Sequence, residues 1–327
     1  MNYKLLALSF LIFSRSSSEK QEPPYQPPPN NPQYEHVPAL PEGNTGIASR
    51  YPGDNGIGAD TNVIFADDFE SYNVTADLTK KWGEVNNANY LDITTGSGKF
   101  FSGVKGLEFK LPQSDIEVGT GVSKNVSPEL DSLFLRYYGK FDTAFNVMGS
   151  SHNGCAISAS YWTGPGSGPG IPANGFNKYL TSYEAGRWDN NTANPGLLNI
   201  YIYHPGQRDI WGDHFYPTGR ILPFDQKPGD FGPQFVARPD IIPQLGRWYC
   251  YELMLKANTP GKRDGRVAMW LDGKLIGDFP NLVLRATNEL KIDRFEVGLH
   301  AGHNTLGEAR KWIDNVVAAK SYIGPVR

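Results

Sequence analysis

The 327-residue chain holds only 2 cysteines, too few for a disulfide framework or for the usual cysteine-rich zinc site. Cys155 and Cys250 each fall in an expected strand, where a bridge formed in an oxidising compartment and two separate buried thiols would serve equally well. There is no excess of charge either. The 31 basic and 34 acidic residues leave a net charge of -3, without the basic surplus of a general nucleic-acid binder, and no nucleic-acid partner is expected. The apolar run near the start, Leu5 to Phe13, is broken only by Ser9 and is too short to cross a bilayer. Behind Lys4 it has the layout of a secretory signal, although Ser14 to Ser18 lacks an Ala-x-Ala cleavage pattern. Residues 1–18 are therefore expected to direct export, and with no cysteine following them a lipidated-cysteine anchor is not expected. The chain has no Gly-x-Ser-x-Gly elbow. Gly164 to Gly170 is rich in glycine but lacks the Lys-Ser/Thr of a phosphate loop, and reads as a flexible loop at a groove mouth.

What the chain does have is 36 Gly, 25 Pro and 13% aromatic residues, a composition suited to short strands joined by turn-rich loops. Residues 19–58, rich in Pro, Asn and Gln, read as a disordered or extended tether ahead of one all-β domain at 59–327. The clearest stretch is Arg247 to Gly277. Tyr249, Tyr251, Leu253 and Leu255 alternate with Cys250, Glu252, Met254 and Lys256, the period of two that a half-buried strand needs. Val267, Met269 and Leu271 repeat the pattern, and Asp272-Gly273 is a strong two-residue hairpin signal. Val63 to Glu70 should start the domain and Trp312 to Ala318 should end it. A short helix is expected over 75–82, and strands at 100–101, 106–111, 133–141, 155–161, 179–184, 197–203 and 294–300. The long Pro- and Gly-rich region 205–244 should cover a face or rim.

Two strands carry candidate chemistry. On Leu133 to Phe141, Leu133, Leu135, Tyr137 and Phe141 share one face while Phe134, Arg136, Tyr138 and Lys140 share the other. Arg, Tyr and Lys in a row would suit an acidic sugar, and equally a plain solvent-facing strand. On Leu197 to Tyr203, Asn199, Tyr201 and Tyr203 share a face opposite Leu198, Ile200 and Ile202. Two tyrosines in line suit sugar stacking or proton transfer, and equally cross-strand packing.

The Trp270-Leu-Asp-Gly-Lys274 hairpin and the opening and closing strands resemble the concanavalin A-like β-jelly-roll sandwich of two antiparallel sheets, a resemblance that implies pairing of the first strand with the last. Arg136 to Lys140, the loop bearing His152, Tyr201 to Tyr203, Arg247-Trp248 and Asn258 to Gly261 narrow the resemblance to alginate- and glucuronan-lyase-like polysaccharide lyases over roughly Phe65 to Ile323. Where the lyase pattern has a Lys-bearing Gly-Gly-Lys-Leu-Pro-Gly loop, this chain has His152 within Gly149 to Gly154. The resemblance implies β-elimination on an acidic, uronic-acid polysaccharide. His152 would be the base, and Tyr201 or Tyr203 would protonate the leaving oxygen. Arg136 and Lys140, helped by Asn153, would neutralise the developing enolate. Tyr138, Asn199, Glu252 and Trp270 complete the expected contacts to substrate.

A glycoside hydrolase would need two carboxylates flanking the bond, and the Glu-x-Asp-x-x-Glu strand of laminarinase-like enzymes is missing; Glu252 is the main candidate for that chemistry. A non-catalytic, lectin-like binding protein on the same fold is the other alternative. Asp68, Glu70 and Asp314 suit a structural calcium site, or else the capping of turns and strand ends. No cofactor is expected for catalysis, and a monomer is expected. His300 and His303 read as rim residues rather than the helical His-Glu-x-x-His metal pair. Asn73, Asn125 and Asn190 open glycosylation sequons.

Overall fold

The structure, a computed structural model, describes residues 37–222, 231–304 and 306–327. The expected signal and residues 19–36 of the expected tether lie outside these. Among the described residues sixteen strands form two antiparallel eight-stranded sheets, the expected β-sandwich jelly roll. The first sheet runs β14 (Lys274–Leu282), β13 (Gly265–Leu271), β12 (Tyr249–Lys256), β6 (Ser132–Phe141), β16 (Ala309–Ala319), β4 (Gly106–Leu111) and β3 (Leu91–Thr94). Its eighth strand, β1 (Val63–Asp67), pairs with β16 as expected. The second sheet runs β11 (Ile221–Leu222), β10 (Asp213–Phe215), β9 (Leu197–Tyr203), β8 (Tyr179–Gly186), β7 (Cys155–Ala159), β15 (Ile292–Ala301), β5 (Val118–Leu130) and β2 (Glu84–Asn86).

Strand alternation builds the core. Leu133, Leu135 and Tyr137 of β6 lie opposite Leu255, Leu253 and Tyr251 of β12. They pack in one buried cluster with Ile157, Tyr183, Ile200, Ile202, Val297 and Leu299 of the second sheet. Each such aliphatic side chain contributes about 1.5–3 kcal/mol on burial, which is what holds the two layers face to face. Asp272 and Gly273 have φ of 51° and 77°, the positive pair that a tight type I′ hairpin requires. Thr75–Lys80 is a short 3-10 helix, while Phe100 and Phe101 lie in a loop instead of a strand.

The outer face of the first sheet is roofed by both ends of the described chain. Ile47, Ala48, Ile57, Tyr322 and Ile323 pack on Phe134, Met254, Ala268 and Trp270. The Trp270 indole N–H donates to the Pro41 carbonyl at 2.9 Å. Residues 37–58, read from composition as tether, are thus laid down on the domain. A few apolar side chains in a polar stretch are enough once a sheet face awaits them. Cys155 and Cys250 are separate buried thiols on different sheets, each pushed up to about 12 by burial. Among the described residues no helix is long and apolar enough to cross a membrane, which says nothing of strands.

Candidate functional site

The outer face of the second sheet carries a groove of about 1350 Å³ lined by His152, Tyr201, Tyr203, His214 and His300, among others. Strand register sets its floor. Tyr201 of β9 sits between Ser182 of β8 and His214 of β10, one row across three strands. Asn199, Tyr201 and Tyr203 face away from Ile200 and Ile202, as the alternation requires.

His152 comes from the loop before β7, and that loop is anchored from several sides. The Asn153 side chain donates to the Ala185 carbonyl at 2.8 Å and accepts the Ala185 N–H at 2.9 Å. The His300 N–H donates to the His152 carbonyl at 2.9 Å. From inside the sandwich, the buried Lys311 amine donates to the Asn153 carbonyl and, at 3.0 Å, to the Tyr137 hydroxyl. Burial pushes the Lys311 pKa down to about 7.

The His152 Nδ1 lies 2.8 Å from Glu184 Oε2, and the Ser182 hydroxyl donates to the same oxygen at 3.0 Å. A carboxylate only accepts, so Nδ1 carries the proton and Nε2 keeps its lone pair. Burial pulls the imidazole pKa down, but the adjacent Glu184 charge and hydrogen bond outweigh it and the net shift is upward. The Tyr201 ring centre stands 4.8 Å from that of His152, and its hydroxyl accepts the Gly212 N–H at 3.0 Å. Burial and the Tyr203 hydroxyl hold the Tyr201 pKa well above that of a free phenol, so the group keeps its proton. His214 flanks Tyr201 at 4.8 Å and shares its Nδ1 proton with Asn199 Oδ1 at 2.8 Å; burial takes its pKa down to about 4, and it is neutral. His300 stacks on His152 at 5.2 Å and reaches Glu117 at 2.9 Å, so it is part of the groove and not merely of a rim.

His152, Asn153, Asn199, Tyr201 and Tyr203 therefore come together, though Asn153 and Asn199 are buried and engaged by their neighbours. Arg136, Tyr138, Lys140, Glu252 and Trp270 do not join them: they lie on the outer face of the other sheet. Arg136 is buried in an ion pair with Asp54 and donates to the Gly324 and Asn315 carbonyls at 3.2 and 3.1 Å. Tyr138 stacks on Phe101 at 3.6 Å and accepts the Val326 N–H at 2.7 Å. Lys140 donates to the Gly98 carbonyl beneath the Trp248 and Trp312 rings. Glu252 accepts the Ile323 and Gly324 N–H groups at 2.8 and 2.9 Å, and burial pushes its pKa up to about 7. Closed under the C-terminal tail, Glu252 is out of reach of any sugar, which removes the expected hydrolase residue. The alternation of β6 tells which residues share a face; it does not tell which sheet the face belongs to or what covers it.

The three candidate calcium ligands are turned to backbone amides. Asp314 accepts the Phe101 and Ser102 N–H groups at 2.8 and 3.0 Å, Glu70 those of Val104 and Lys105 at 2.8 and 2.9 Å, and Asp68 that of Glu70 at 3.2 Å. They do not converge as a cation-binding set, and no group of three or more His, Cys, Asp or Glu placed to hold a metal occurs among the described residues. Glu184, His214 and Lys311 escaped the sequence reading. Glu184 alone left a signal: it is the one charged side chain of its strand, on the same face as Ser182.

No family model matches the chain, and no curated protein does. Solved structures do match. The alginate lyase Aly36B superposes at a TM-score of 0.56 with 18% identity, over 80% of this chain and 98% of that one. A variant of it bound to an alginate trisaccharide gives 0.57 with 17% identity over 80% and 100%. The endo-β-1,4-glucuronan lyase of the fungus Trichoderma reesei gives 0.50 with 18% identity over 79% and 96%. At these identities the likeness is one of fold, the jelly roll of polysaccharide lyases.

Proposed function

We propose that this chain is a secreted polysaccharide lyase that cleaves a uronic-acid glycan by β-elimination in the groove of the second sheet. The observation that carries the reading is the side-by-side placement of His152 and Tyr201, with Glu184 fixing the tautomer that leaves His152 Nε2 basic. His152 takes the C5 proton next to the carboxyl group, and the electron pair becomes the C4–C5 double bond. The C4–O bond breaks, and the Tyr201 hydroxyl protonates the departing oxygen. Positioned acid–base groups of this kind contribute about 10²–10⁴-fold each. His214 and His300 flank the pair. Shared fold with enzymes whose names say alginate and glucuronan lyase supports the polysaccharide as partner.

The test is to incubate the protein with glucuronan, alginate and related uronates, free and esterified, and follow ultraviolet absorbance of the unsaturated product. Product is expected from at least one polymer and should be lost in Tyr201→Phe. Absence of product from all of them between acid and alkaline pH overturns the reading.

A further inference from the structure

The chain has 7 tryptophans. Trp82, Trp270 and Trp312 are buried and Trp248 is partly covered. The three that are exposed, Trp162 at 49%, Trp188 at 46% and Trp211 at 51%, all line the groove. Large indoles left half in water are informative when they gather at one place, since scattered apolar exposure is ordinary. Register places them on opposite walls. Trp188 follows the end of β8, whereas Trp162 follows the end of the antiparallel β7, and Trp211 precedes Asp213, which pairs with Ile202 on the Trp162 side. Each ring is braced: Trp188 edge-on to His214 at 5.2 Å, Trp162 edge-on to Tyr161 at 4.9 Å. Trp211 lies so close over Gly170 that a Cβ there would come within 3.5 Å of its ring.

Between these walls the charge is negative. Four carboxylates, Glu84, Glu117, Asp209 and Glu296, line the groove with one guanidinium, Arg294. Arg294 is itself paired with Glu84 at 2.8 Å and Glu296 at 3.5 Å. A fully ionised polyuronate would meet like charge along this lining, and each such pair a few ångströms apart is repulsive.

We infer that the groove takes a glycan of flat, equatorially substituted pyranose rings whose uronic carboxyl groups are esterified; the inference rests on the lyase reading of the same site. A pyranose with its substituents equatorial presents a face of axial C–H groups, an apolar plate that an indole can cover. Rings carrying axial linkages are bent away from such contact. The ester removes the charge that the acidic lining would repel. It also makes the C5 proton more acidic, because the enolate forms from a neutral carbonyl instead of from a carboxylate. The elimination is then balanced as it stands: His152 takes the C5 proton, the C4–O bond breaks, Tyr201 supplies a proton to the leaving oxygen, and solvent returns the His152 proton to Tyr201.

Binding is measured by tryptophan fluorescence on the His152→Ala protein, with a methyl-esterified glucuronan oligosaccharide and its saponified form as probes. The ester should bind at least about tenfold tighter, with the gap narrowing as salt rises. Trp188→Ala and Trp162→Ala should each weaken ester binding about two- to tenfold, the range expected for one aromatic contact. Equal or tighter binding of the saponified form, or unchanged binding in both tryptophan variants, overturns the inference. Turnover by the unmodified protein is scored separately. If the ester binds as described and nothing is cleaved, the lyase reading falls and the assignment of the ligand stands.

Discussion

β6 and β12 of the first sheet and β8 and β9 of the second are built alike: an apolar row facing the sandwich and a polar row facing out. Their outer rows have opposite fates. Arg136 and Glu252 are closed under the chain ends and bonded to Asp54 and to backbone amides. Glu184 and Tyr201 lie beneath an open groove, where Glu184 orients a histidine that can reach a ligand. Charge on a strand is therefore within reach of a ligand only where the face stays open. Under a roof the same charge fastens the roof.

The comparison can be broken from either side. The largest effect is expected from Arg136→Ala, which strands Asp54 and should cost about 3–5 kcal/mol in chemical denaturation while turnover per folded molecule is unchanged. A variant of native stability would remove the fastening role. Tyr201→Phe should lower kcat by about 10²-fold or more with the melting temperature held within a few degrees. Retained kcat would transfer the acid role elsewhere. Lys311→Met, which releases the Asn153 carbonyl from inside the sandwich, should lower kcat on the order of tenfold with little change in KM, because it misplaces His152 without touching substrate. An equal rise in KM would mean that the groove itself had collapsed.

The last effect is a pH slope. Burial raises Glu252 and Asp314 to about 7 from ordinary values of 4.5 and 3.8. Across that window the folded chain holds protons that the unfolded chain has released, so stability falls as pH rises. Lys311, lowered to about 7 from 10.5, acts in the next window: there the unfolded chain holds the extra proton and stability rises with pH. Glu252→Gln should flatten the lower slope in denaturation curves taken from pH 4 to 7, and an unchanged slope would place its origin elsewhere.

Much of the frame was legible in the chain. The Asp272-Gly273 hairpin and the two faces of β6 and β9 follow from turn chemistry and period-two alternation, and the pairing of β1 with β16 from the resemblance of the opening and closing strands to those of jelly rolls. β5 was not legible, since in Val118 to Leu130 the Gly, Ser, Lys, Asn and Pro residues interrupt the valines and hide a strand. The roof over Arg136 was hidden because residues 37–58 offer few apolar side chains, and their partner face is distant in sequence. His152 and Tyr201 could be singled out as residues, but Glu184 and His214 join them only through strand register.

The most direct test compares His152→Ala with Arg136→Met in one assay of unsaturated product, each corrected for its folded fraction. His152→Ala is expected to melt like the unmodified protein and to lose about 10²–10⁴-fold in turnover. Arg136→Met is expected to melt earlier and turn over normally. Full activity in folded His152→Ala, or an inactive but stably folded Arg136→Met, would place the chemistry on the other sheet.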